Sequence, residues 1–323
     1  MTSPEAHAGR VPDFFLAGHA KCGTTALYEA LRRHPGVWLP DVKEPRYFAT
    51  DMRRRFTPPR SGRLPETMDE YLALFAAAPA GAIVGEASPS YVASHSAPRL
   101  IAKARPDAKL IAIFREPASF VRSLHLQLIQ SHVETERDLA TALSLEVERA
   151  HGRKIPRRSH RPQSLQYSEH VRYSAQLARL RSAFADEQLL IMVYDDVRAD
   201  NEGTLRRVLE FIGADPEVAI GAPPEVNPSL LIRSQGLETA LNAVSTGRGT
   251  FGRAVGRTSR RLVPASARRH AMGMVRTRLI RGDAPPADEA LMHALRRRYK
   301  HEVEAFGRDI GRDLIDLWGY DRD

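Results

Sequence analysis

The stretch Gly18-His19-Ala20-Lys21-Cys22-Gly23-Thr24-Thr25 combines two glycines, one lysine and a pair of threonines. Successive N–H groups in such a turn, backed by a helix N-terminus, form a cradle for an anion. The hydroxyls of Thr24 and Thr25 add donors, and Lys21 adds a positive charge. A nucleoside-triphosphate loop reads G-x-x-x-x-G-K-[ST]. The glycine spacing here is the same, but Thr24 occupies the lysine position and Lys21 lies inside the loop. The cradle is kept while the cation is moved. Cys22 has two readings: a thiol with a lowered pKa among N–H donors, or a small residue that fills the loop. The second is the simpler.

Three further segments carry chemistry. Lys43-Glu44-Pro45-Arg46-Tyr47-Phe48 sets one carboxylate among aromatic rings that would desolvate it. A positioned carboxylate acting as general base is worth roughly 10²–10⁴-fold in rate. Arg115-Glu116-Pro117 follows an apolar run, and Ser123 lies two turns beyond. An arginine at a strand end grips a phosphate with two parallel bonds, and Ser123 offers a hydroxyl from the same side. Glu86, Ser88 and Tyr91 form a second acid–hydroxyl group within Gly85-Glu86-Ala87-Ser88-Pro89-Ser90-Tyr91. Arg233 follows Asn227-Pro228-Ser229.

Together these segments resemble the sulfotransferases that use 3′-phosphoadenosine 5′-phosphosulfate (PAPS), especially the bacterial members and the heparan-sulfate branch. The resemblance is strong to about residue 213 and thin beyond. The family loop reads P-K-[SATC]-G-T-[TS], and Ala20 replaces its proline. The K-E-P-x-[FY]-F and E-x-S-P-x-Y segments are present, with Ala87 where relatives often carry lysine. The R-x-P-x-x-R-x-x-S pattern has Phe120 at its second arginine. The resemblance implies roles. Lys21 would stabilise the leaving phosphate, while Cys22, Gly23, Thr24 and Thr25 hold the 5′-phosphate. Arg115 and Ser123 would hold the 3′-phosphate, and Arg233 would reach the phosphates. Glu44 would be the general base, and Glu86, Ser88 and Tyr91 would line the acceptor cleft. No metal is implied. In the cytosolic branch the base is a histidine; His19, His95 and His125 are rivals here without a supporting motif.

The elements that must position these residues are legible as short apolar runs. Strands are expected at 14–17, 82–85, 109–114 and 189–194. Helices are expected from Thr24, where threonine would cap, and over 97–104, 117–130, 139–149, 168–184, 202–212 and 288–306. Alternating strands and helices argue for a parallel α/β sheet. The fold expected is a P-loop-like three-layer α/β/α sandwich, the sulfotransferase fold. A flexible arm over 1–10 and a single domain over 11–323 are expected. A sheet of this kind binds ligands at the carboxyl ends of its strands.

Composition bounds the rest. The 323 residues carry 48 Lys+Arg against 39 Asp+Glu, a formal charge of +9. Only six of the basic residues are lysine; the arginine bias reads as a GC-rich, bacterial coding background. Ten arginines and no acid fall within 246–281. The charge excess is therefore local, in a basic loop or lid, and does not call for a nucleic-acid partner. That segment leaves peripheral membrane contact open. One cysteine excludes an intrachain disulfide and a cysteine-cluster metal site. A polar start without an apolar run, and no apolar stretch of 18 residues, point to a cytoplasmic protein. The expected activity is sulfuryl transfer to a hydroxyl or amine of a glycan, lipid-linked sugar or small molecule. Two alternatives stand beside it. One is a P-loop kinase or NTPase, with Asp195-Asp196 holding Mg²⁺. The other is a polyanion binder acting through 246–281.

Overall fold

Runs of Phe, Leu, Ile and Val become the strands of one sheet. A computed structural model describes residues 10–52, 64–157, 159, 162–218, 220, 230–232, 281–283 and 286–321. The sheet holds β1 (Phe14–Leu16), β2 (Val37–Trp38), β3 (Ile83–Ala87), β4 (Lys109–Phe114) and β5 (Leu189–Val193). Its order is β2-β3-β1-β4-β5, and every neighbouring pair is parallel. A separate antiparallel pair joins β6 (Leu230–Ile232) to β7 (Arg281–Asp283). Arg233 and the basic segment up to residue 280 lie outside the described residues, as do residues 1–9.

The central strands read as unbroken apolar runs because helices cover both faces. Phe14, Phe15, Leu16 and all of Leu110 to Phe114 are fully buried. From β1 the chain passes through α1 (Thr24–Leu31) to the β2 edge. From β4 it passes through α4 (Pro117–Gln130) toward β5 at the other edge. The two connections leave in opposite directions, which opens a crevice at the carboxyl ends of β1 and β4.

Several helices match their expected spans, including α3 (Ala97–Ala104), α4 and α10 (Asn201–Ile212). Glu116 caps α4, accepting from the N–H groups of Ala118 (2.8 Å) and Ser119 (2.6 Å). Pro117 takes the first helical position, where no N–H is needed. Other spans are corrected. The expected helix over 139–149 is two, α5 (Leu139–Ser144) and α6 (Glu146–Ala150). The helix over 168–184 is also two, α7 (Tyr167–His170) and α8 (Tyr173–Arg181). At that break the buried Gln176 amide donates to the carbonyls of His170 (3.0 Å) and Glu169 (3.4 Å), which replaces lost helical bonds. The helix α2 (Met68–Ala73), strand β2 and α9 (Tyr194–Ala199) are additional. The final long helix, α11 (Glu289–Ile310), sends Phe306 into the core against Phe114. A short α12 (Leu314–Leu317) follows, and Tyr320 donates to Glu116 at 2.6 Å.

Candidate active site

The chain leaves β1 pressed against β4. A Cβ at Gly18 would lie 2.7 Å from the Ile113 nitrogen, so only glycine fits. The His19 N–H donates to the Ile113 carbonyl at 3.2 Å. The turn then needs left-handed backbone at Lys21 (φ 67°) and Gly23 (φ 79°). Gly23, not threonine, is the N-cap of α1, and no side chain caps that end. This corrects the expected threonine cap. It leaves the first N–H groups of α1 and the hydroxyl of Thr24 for an anion.

Arg115 continues from β4 into the same crevice. Its Nη1 donates to the Lys21 carbonyl at 3.2 Å. Its guanidinium stands 4.9 Å from the centre of the Tyr194 ring. The Tyr173 hydroxyl donates to the Arg115 carbonyl at 2.9 Å. Burial, and then the Arg115 charge, hold the Lys21 ammonium below its usual pKa. Two crowded cations are relieved by an anion. Cys22 is fully buried. Burial pushes its thiol up to about 12, so the filler reading holds and the loop offers the Cys22 N–H, not a thiolate. Ser123 is buried on α4, and its Oγ has no hydrogen-bond partner among the described residues. A buried hydroxyl without a partner among the described residues fits an acceptor that the chain itself does not supply.

The Glu44 segment is sewn to the end of β3. Glu44 N–H donates to the Ala87 carbonyl (2.9 Å), Arg46 N–H to Ser88 Oγ (3.0 Å), and Phe48 N–H to Tyr91 Oη (3.3 Å). Both Glu44 (φ 60°) and Arg46 (φ 54°) adopt left-handed backbone. Such strain in non-glycine residues clusters at functional sites. Lys43 Nζ donates to Thr25 Oγ1 at 2.7 Å and lies 3.6 Å from the Glu44 carboxylate. Arg46 pairs with the same carboxylate. The expected base therefore joins the expected anion loop through Lys43.

Glu86, Ser88 and Tyr91 are placed differently from the expectation. All three are fully buried beneath this segment, with no side-chain surface exposed. The rival histidines are also placed. Burial drives His19 down to about 3 and leaves it neutral, bonded to Gln176 at 2.7 Å. His125 is buried against the Glu136 carbonyl. His95 is exposed at the rim of a cavity of about 280 Å³ that Asp51, Gln163, Gln166, Arg172 and Arg179 also line. The acids of the kinase alternative are occupied: Asp195 accepts from Trp318 Nε1 (2.9 Å), and Asp196 pairs with Arg312. Among the described residues no His, Cys, Asp or Glu cluster could hold a metal ion. Also among them, no helix is long and apolar enough to cross a membrane.

Sequence reasoning missed Tyr194, Lys43, Arg46 and Tyr71. Tyr194 follows β5, where strand ends build ligand sites. Lys43 and Arg46 flank the expected base in its own motif. Tyr71 carries no sequence signal.

A family model described as a sulfotransferase domain matches residues 11–221 of the chain. The chain belongs to the sulfotransferase domain family. Human heparan sulfate glucosamine 3-O-sulfotransferase 6 is 35% identical over 120 residues, 37% of this chain and 31% of its own length. Mouse carbohydrate sulfotransferase 15 is 28% identical over 254 residues, covering 64% of this chain and 44% of the relative. The chain thus spans less than half the length of these curated relatives. A crystal structure of a sulfotransferase from Alicyclobacillus acidocaldarius superposes with a TM-score of 0.66 at 22% identity, over 94% of this chain and 97% of that one. That likeness shows a shared fold. The three-layer sandwich with its parallel sheet is the sulfotransferase fold, as the sequence led one to expect.

Proposed function

We propose that this sulfotransferase-family chain transfers a sulfuryl group from PAPS to an acceptor hydroxyl or amine, with Glu44 as general base. The observation that carries the reading is the convergence at the ends of β1, β3 and β4. An anion loop with a depressed Lys21, a guanidinium at Arg115 and an orphaned Ser123 hydroxyl meet a positioned carboxylate. The donor set fits a nucleotide with two separate phosphate groups. When bound, PAPS supplies the activated sulfuryl group.

The protein's part is binding, orientation and charge. The N–H groups of Cys22 to Thr25, with the two threonine hydroxyls, hold the 5′-phosphate. Lys21 neutralises the charge that grows on the leaving oxygen. Arg115 and Ser123 hold the 3′-phosphate and so select this nucleotide over ATP. Glu44 takes the proton of the attacking group on the opposite side, and Arg46 fixes the carboxylate. Arg233 joins the phosphate contacts in this reading, although it lies outside the described residues.

A glycan acceptor is favoured by the relatives, a heparan sulfate glucosamine 3-O-sulfotransferase and a carbohydrate sulfotransferase. Arg179 adds to this. Burial holds its pKa down, and among the described residues its guanidinium donates only a long hydrogen bond, to the Ala93 carbonyl at 3.5 Å. An acceptor with a carboxylate or sulfate group would find its partner there.

The experiment is paired binding and turnover. Glu44→Gln should bind adenosine 3′,5′-bisphosphate as the wild type does. Its turnover should fall about 100-fold or more. Wild-type turnover in that variant would remove Glu44 as base.

A further inference from the structure

Glu86 presents a problem that the proposed mechanism does not use. It stands on β3 directly beside Phe15 of β1, with no exposed surface. An unpaired carboxyl at such a place is costly. Its Oε2 accepts from the Tyr71 hydroxyl (2.8 Å) and the Tyr91 hydroxyl (2.9 Å), and its Oε1 is buried without a partner among the described residues. Among the described residues the groups acting most strongly on it are Ser88, Tyr71, Tyr91 and Glu44, none of them a cation.

The hydroxyls around it do two things at once. Tyr91 Oη donates to Glu86 and accepts from the Phe48 N–H. Ser88 Oγ lies close enough to favour the carboxylate form of Glu86 and accepts from the Arg46 N–H. A carboxylate accepts only, so it holds the Tyr91 hydroxyl hydrogen toward itself. The lone pairs of that hydroxyl are then aimed at the Phe48 N–H, just after the left-handed Glu44–Arg46 backbone. A neutral carboxylic acid can donate a proton and lets this hydroxyl turn away.

We infer that Glu86 is a positioning residue, a buried carboxylate that pins the Glu44 segment through Tyr91. It acts through the segment and touches no reacting atom; for catalysis the inference rests on Glu44 as base. Burial raises the Glu86 pKa to about 7, partly offset by the nearby Ser88 hydroxyl and the Tyr71 and Tyr91 bonds and reinforced by the Glu44 charge. The groups facing it are Tyr71 on α2, Tyr91 and Ser88 after β3, and Glu44 with its partners Lys43 and Arg46. The pin should therefore tighten as pH rises through neutrality.

Amide hydrogen exchange of the segment 43–49 tests this without relying on Glu44 chemistry. In Glu86→Gln and in Tyr91→Phe, exchange of this segment should rise about tenfold, the loss of one charge-assisted hydrogen bond. Exchange in β4 should not change. In the wild type, exchange corrected for intrinsic pH dependence should slow between pH 6 and 8, and in Glu86→Gln that slope should vanish. Turnover should lose its pH limb near 7 in Glu86→Gln while affinity for adenosine 3′,5′-bisphosphate stays within twofold. Wild-type exchange of segment 43–49 in a folded Glu86→Gln protein would overturn the inference. Failure of Glu44→Gln to reduce turnover would instead overturn the base assignment and leave the exchange result standing.

Discussion

Replacing Ser123 by alanine should stabilise the free protein and weaken its nucleotide binding. The opposite signs come from one atom. Ser123 Oγ is buried with no hydrogen-bond partner among the described residues. A buried hydroxyl left unsatisfied costs about 1–3 kcal/mol. Alanine removes that cost and leaves only a small void, so a gain of about 1 kcal/mol is expected, or roughly 2 °C in Tm for a chain of this size. A hydrogen bond from the same hydroxyl to a phosphate is worth about 1.5–3 kcal/mol. Its loss should raise Kd for adenosine 3′,5′-bisphosphate about 10- to 100-fold. Scanning fluorimetry of the free protein and titration calorimetry with the bisphosphate measure the two effects. Adenosine 5′-monophosphate, which lacks the 3′-phosphate, is the control and should bind both proteins equally. A Ser123→Ala protein that melts lower and binds the bisphosphate unchanged would refute the reasoning. Equal weakening of both nucleotides would move Ser123 away from the 3′-phosphate.

Arg115→Lys should weaken the bisphosphate about 100-fold, because an ammonium reproduces neither the paired phosphate contact nor the stack on Tyr194; calorimetry against adenosine 5′-monophosphate shows whether the loss follows the 3′-phosphate. Glu86 should make stability fall as pH rises. Its folded pKa of about 7 lies above the unfolded 4.5, so the folded state holds the extra proton between those values and loses its advantage by about pH 7. The difference is about 3 kcal/mol, and the Tm of Glu86→Gln relative to wild type should climb across pH 5 to 8. Arg179→Ala should raise KM for an anionic acceptor about tenfold and leave a neutral acceptor unchanged, which steady-state kinetics with paired acceptors would show.

The apolar strands and the motif residues were legible in the sequence because each is a local signal. KLIAIF is a buried parallel strand by composition alone. The Gly18 to Thr25 spacing announces an anion cradle before any strand is ordered. Less legible were the helix breaks near Leu145 and Val171, where the apolar period runs on; at the second, the Gln176 amide takes up the freed carbonyls. The two-residue β2 is too short to carry a period.

The sequence by itself determined that Lys21, Arg115 and Glu44 are the charged groups worth watching. It also showed that the +9 excess falls mainly on 246–281. Only the tertiary structure decided what those groups meet. Arg115 reaches the Lys21 carbonyl across 94 positions, and Arg46 is held by Ser88 across 42. Glu86 reads in sequence as a candidate for the acceptor cleft. In the fold it is a buried support for Glu44, because β1, α2 and the residues after β3 close over it. Burial is set by elements far away in the chain, and no local spacing encodes which carboxyl they will cover.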